Sequence, residues 1–147
     1  MIIQRNKNNK LKLMKRLHKT MTYAQKAKVN YEIAKLCWLN AAGNPPEKCS
    51  LFIAYSRYYY CAFLYTKAYF EERDKNTKFH EDHILFWKEA IEKVGQFSLE
   101  MIFTDFKDGH RPTRNKADYT KKRIPEKSVC EIKGDVEEMM ELMGYKL

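Results

Sequence analysis

Leu51-Phe52-Ile53-Ala54-Tyr55-Ser56-Arg57-Tyr58-Tyr59-Tyr60-Cys61-Ala62-Phe63-Leu64-Tyr65 is the longest apolar stretch of the chain, and it holds one charge, Arg57, and neither glycine nor proline. Apolar and aromatic side chains fall on nearly every face of a helix drawn through it, the pattern of a helix buried among several neighbours. The stretch is also shorter than the roughly 20 residues a helix needs to cross a bilayer. It is therefore expected at the centre of a helical bundle, within a helix from about Glu47 to Asp74.

On its N-terminal side, Gly43-Asn44-Pro45-Pro46 stops a helix that begins after Thr22, a good capping residue. Tyr23, Ala27, Tyr31, Ala34 and Trp38 recur there at three- and four-residue spacing. On its C-terminal side, the polar turn from Arg73 to Lys78 leads into a third expected helix, His80 to Phe106. That helix turns Ile84, Trp87, Ile91, Val94 and Leu99 inwards, and Asp108-Gly109 ends it. A fourth segment follows Pro112 and runs to about Arg123, and Asp135 to Met143 forms a short amphipathic helix. With 147 residues, 44% hydrophobic composition, and only five glycines and four prolines, the chain suits one all-α domain better than a turn-rich β fold. The ten tyrosines suit a bundle core with hydroxyls at its rim.

The net charge of +9 is concentrated in two places. Residues 1–20 carry seven basic side chains and no acid; residues 111–123 carry six against Asp118; the rest of the chain is net negative. Residues 1–21 are thus expected to be a flexible basic arm and residues 22–147 the folded domain. Two basic patches on a mildly acidic body point to an anionic partner such as nucleic acid. Cys37, Cys49, Cys61 and Cys130 form no CxxC pair, which fits reduced thiols better than disulfides or zinc. No continuous apolar block follows the basic N-terminus, so neither a secretory signal nor a membrane anchor is expected, and a cytoplasmic location is.

Two segments resemble a known family. Tyr55-Ser56-Arg57-Tyr58-Tyr59-Tyr60-Cys61-Ala62-Phe63, continued by Lys67-Ala68, resembles the S-R-x-x-Y-Y-A-x-F signature of HEPN-domain proteins. Arg114-Asn115-Lys116-Ala117-Asp118-Tyr119 resembles the R-x-x-A-D-Y signature of a branch of small stand-alone HEPN proteins, and Phe79-His80 falls where that branch has a histidine opening its third helix. The likeness spans residues 25–123. It implies a four- to five-helix bundle, a homodimer, and RNA cleavage or nucleotide-related binding in toxin–antitoxin or phage-defence systems, with a nucleotidyltransferase-type protein as partner. It implies no cofactor.

The resemblance also nominates site residues. In HEPN ribonucleases an arginine and a polar residue are followed, four to six residues after the arginine, by a histidine; here Arg114-Asn115 begins the pattern and no histidine follows. Arg114, Asp118 and Tyr119 are the catalytic candidates for a metal-independent endoribonuclease. Arg114 would hold a phosphate, and Tyr119 would polarise a hydroxyl or accept a nucleotidyl group. The missing histidine favours the alternative, an inactive module that binds nucleic acid, a nucleotide or a protein. A plain helical scaffold is the third reading. Arg111, Lys116, Lys121, Lys122 and Arg123 are candidates for nucleic-acid contact, and Ser56, Arg57 and His110 for supporting roles. Arg57, a lone cation in an apolar run, needs a carboxylate if buried, and Asp118 is the expected partner. His110 precedes Arg114 by four and is read as a loop residue that could share its cleft. His80 and His83, with Glu81 or Asp82, lack a third strong ligand; no metal is expected there, and both are read as surface or supporting residues.

Overall fold

A computed structural model describes residues 8–10, 12, 21–41, 48–119 and 123–147, with side chains for all of these except 40–41, 48–50 and 118–119. The elements are α1 (Tyr23–Ala41), α2 (Lys48–Arg73), α3 (His83–Val94), α4 (Phe97–Asp105), a π-turn (Phe106–His110), α5 (Arg111–Tyr119) and α6 (Glu126–Met143). The described residues contain no strand, and the fold is an all-α bundle, as the sequence indicates. Most of the expected basic arm lies outside the described residues; its residues 8–10 and 12 are helical and exposed.

α1 and α3 each start at a side-chain cap. Thr22 and Gln25 form a reciprocal capping box: Gln25 N donates to Thr22 Oγ1 (3.1 Å) and Thr22 N to Gln25 Oε1 (2.9 Å). Asp82 caps α3, its Oδ1 accepting from Leu85 N at 3.1 Å. Gly95 ends α3 in the left-handed region at φ +63°. The expected single helix from His80 to Phe106 is therefore two helices. The expected break at Asp108-Gly109 is no break: Arg111 N–H donates to Phe106 O across five residues, and α4 continues through the π-turn into α5. The C-terminal helix begins at Glu126, nine residues ahead of the expected Asp135, because Val129 and Ile132 also face the core.

The central helix is α2. It lies against α1 along much of its length and against α6 and α5 as well, while Phe63 meets Phe86 on α3, Phe70 meets Phe103 on α4, and Tyr59 meets Phe106 of the π-turn. Leu51, Ala54, Tyr55, Tyr58, Tyr59, Ala62 and Tyr65 are buried, and so is Thr66, whose hydroxyl donates to Ala62 O. Trp87, fully buried, stacks on Phe106 (centroids 5.2 Å apart) and meets Phe103 at 5.7 Å. Burial is not all-round, however: Ile53 and Arg57, one turn apart on α2, are exposed. Arg57 donates through Nη1 to Asn30 Oδ1 on α1 (3.2 Å), so it is not a buried cation in need of a carboxylate but a surface residue bonded to a neutral amide. The side chain of its expected partner, Asp118, lies outside the described residues. Cys37, Cys61 and Cys130 are free thiols, and burial raises the pKa of Cys61 far above the usual thiol value. No helix among the described residues is long and apolar enough to cross a membrane.

Candidate functional site

α5 brings Arg111, Arg114 and Asn115 to the start of α3, where His83 opens the helix directly after its Asp82 cap. Together with Ile84 these residues line a depression of about 200 Å³. Arg114 is half-buried, its guanidinium carbon 4.9 Å from the ring centroids of both Tyr59 and Tyr60 on α2. Those two rings, one residue apart on α2, hold the cation by charge–quadrupole attraction. Nη2 of Arg114 reaches Asn115 Oδ1 at 3.4 Å, while Nε is buried with no partner among the described residues. Arg111 donates from Nε to Lys107 O at 3.3 Å.

His83 is fixed on three sides. Its ring stacks on Phe63 (centroids 4.3 Å apart, planes 1° apart) and on Tyr59 (5.7 Å, 13°), and Nδ1 lies 2.7 Å from Tyr59 Oη. Tyr59 Oη in turn accepts from Trp87 Nε1 at 3.0 Å. Burial, then the positive charges of Arg114 and Lys67, hold the His83 pKa below its ordinary value of 6.5, against the opposing pull of Asp82. The imidazole is neutral at neutral pH. Lys67, whose pKa is lowered by burial and by Lys26, sits over Phe63 at 4.5 Å and near Tyr23 and Phe79.

The expected site residues are distributed unevenly about this depression. Arg111 and Arg114 line it. Ser56 is half-buried on α2, one turn before Tyr60, and Lys116 is exposed on α5. Arg123 is exposed and lines a different depression with Leu51, Pro125 and Glu126. Asp118 and Tyr119 end α5, but their side chains lie outside the described residues, as do Lys121 and Lys122 altogether.

His110 is not a loop residue and does not line the depression of Arg114. It closes the π-turn and is buried, with Nδ1 2.9 Å from Tyr55 Oη and Nε2 2.6 Å from Asp135 Oδ2 on α6. Asp105, Gly109, Glu131 and Asp135 complete the separate hollow beside it. Burial and the Asp135 charge raise the carboxyl pKa of Asp105. No group of three histidine, cysteine, aspartate or glutamate side chains suited to a metal occurs among the described residues.

Sequence reasoning missed His83 as a partner of Arg114. The two are 31 positions apart and meet only because Tyr59 faces both. The available signal was the helix-start pattern Asp82-His83 before an apolar run, which puts His83 in the first turn of α3. No protein-family model matches the chain, and neither does any curated protein or solved structure.

Proposed function

We propose that this protein binds RNA by seating a backbone phosphate between Arg111, Arg114, Asn115 and His83, as an HEPN-type domain acting as a homodimer. The observation that carries the reading is the convergence on one depression of two guanidiniums, a carboxamide and a neutral imidazole, with Nε of Arg114 buried and unpartnered. The planar fork of arginine matches phosphate oxygens. The other four cations of residues 111–123, Arg123 among them, and the seven of residues 1–20 add the positive potential that draws a polyanion. The resemblance of the two signatures supplies the setting: a toxin-like component of a toxin–antitoxin or phage-defence system in the cytoplasm, with a nucleotidyltransferase-type partner.

RNA cleavage is the second reading. One observation bears on it: His83 sets an imidazole beside Arg114, where the motif following Arg114 has none, and the protonation of its Nε2 decides whether that ring can take a proton from RNA. Asp118 and Tyr119 remain its other candidates.

Fluorescence anisotropy with a labelled single-stranded RNA tests the proposal. Arg114→Ala is expected to keep the helical circular dichroism and to weaken binding about tenfold or more, the loss of a charge-assisted contact. The slope of log affinity against log salt should fall by about one. Equal affinities for the two proteins would overturn the proposal. Gel analysis of the same mixtures separates binding from cleavage.

A further inference from the structure

We infer that His83 meets the bound phosphate as a hydrogen-bond donor through Nε2–H, in a tautomer set by Tyr59 and Trp87; the inference rests on the reading of the depression as a phosphate site. The indole N–H of Trp87 can only donate, and it donates to Tyr59 Oη at 3.0 Å. Burial pushes the Tyr59 hydroxyl up to about 12, so it keeps its proton. With its oxygen already accepting from Trp87, that hydrogen is left for Nδ1 of His83, 2.7 Å away. The reverse arrangement, with Nδ1–H donating to Tyr59, would leave a buried hydroxyl hydrogen with no acceptor among the described residues, since Trp87 offers none.

The charges around the ring act in the same sense. Arg114, Lys67 and Arg111 oppose a second ring proton, and Asp82 alone favours one. The ring therefore carries a single hydrogen, on Nε2, the nitrogen left for whatever enters the depression that His83 lines. In this state Nε2 has no lone pair free to take a proton from a ribose hydroxyl. His83 is a phosphate ligand and not a general base, and Tyr59 is the residue that positions it.

Long-range proton–nitrogen correlation spectra of the full chain, titrated with inorganic phosphate at constant ionic strength, test this. Wild type is expected to show a protonated Nε2 and a bare Nδ1 in His83 at neutral pH, before and after phosphate is added. Tyr59→Phe should mix the two tautomers and weaken phosphate binding about three- to tenfold, the range of one neutral hydrogen bond. His83→Gln, which keeps an N–H donor at similar reach, should retain more affinity than His83→Ala. A bare Nε2 in wild type overturns the inference, and the wild-type spectrum decides this even if the Tyr59 variant does not fold. In that event phosphate-induced shifts at Arg111, Arg114 and Asn115 would leave the phosphate site standing. Absence of shifts at all four residues would remove both.

Discussion

The imidazole of His83 takes up a proton less readily in the folded chain than in the unfolded one, because burial and its cationic neighbours disfavour the charged ring. The unfolded chain protonates His83 near its ordinary value of 6.5; the folded chain does so only at lower pH. Between those values the unfolded state holds more protons, so stability is complete above the window and falls as pH falls through it. Urea unfolding between pH 7.5 and pH 5 should show His83→Gln losing less stability than wild type. Parallel pH profiles for the two proteins would show that the ring is not held neutral by the fold. Arg57 teaches the converse lesson about single residues. Read as a lone charge in an apolar run, it calls for a buried carboxylate; the open stripe through Ile53 instead lets it reach solvent and Asn30. Hydrophobic pattern reports how much of a helix is buried, and packing decides which stripe is spared.

At the scale of the elements, the division between α3 and α4 depends on one residue. Gly95 adopts φ +63°, and a Cβ added there would meet nothing within 4 Å. The cost of Gly95→Ala is therefore conformational and not a clash, about 1 kcal/mol, with Gly95→Asn costing less. Chemical denaturation checks this, and an unchanged midpoint for the alanine variant would mean that α3 and α4 can join without penalty. The same junction shows what the sequence discloses. The start of α1 follows from Thr22 and the end of α2 from the polar turn after Arg73, signals within a few residues of the effect. Gly95 sits inside an amphipathic pattern that continues past it, so periodicity alone runs α3 into α4. Gly109, the stronger-looking breaker, is carried in the π-turn, where Tyr55 and Asp135 hold the neighbouring His110 from two distant helices. Arg111 and Arg114, both nominated from the sequence, line one depression, whereas His83, which lines it too, comes from another helix and could be placed there only from tertiary contact.

Across the whole molecule, tyrosine hydroxyls are immersed in a largely aromatic interior. Burial pushes Tyr31, Tyr59 and Tyr65 up to about 12, and Tyr55 and Tyr58 higher still. In the unfolded chain the same groups ionise near 10. Folding stability from these groups is therefore complete below pH 10 and is lost as pH rises from there, because only the unfolded chain readily gives up the protons. Spectrophotometric titration should show the buried tyrosines ionising together with the loss of helical circular dichroism; gradual ionisation while the helices persist would contradict the burial described. The interior also depends on parts of the chain made at very different times. The Thr66 hydroxyl lies 3.7 Å from Met139 Sδ, and the Tyr65 ring lies 4.5 Å from that of Tyr145. On the ribosome, α1 and α2 can pair early, but a flank of α2 stays uncovered until α6 emerges from the exit tunnel. The nascent chain must carry its most aromatic helix half-clothed from the moment α2 emerges until α6 does, the interval in which a chaperone has the most to protect.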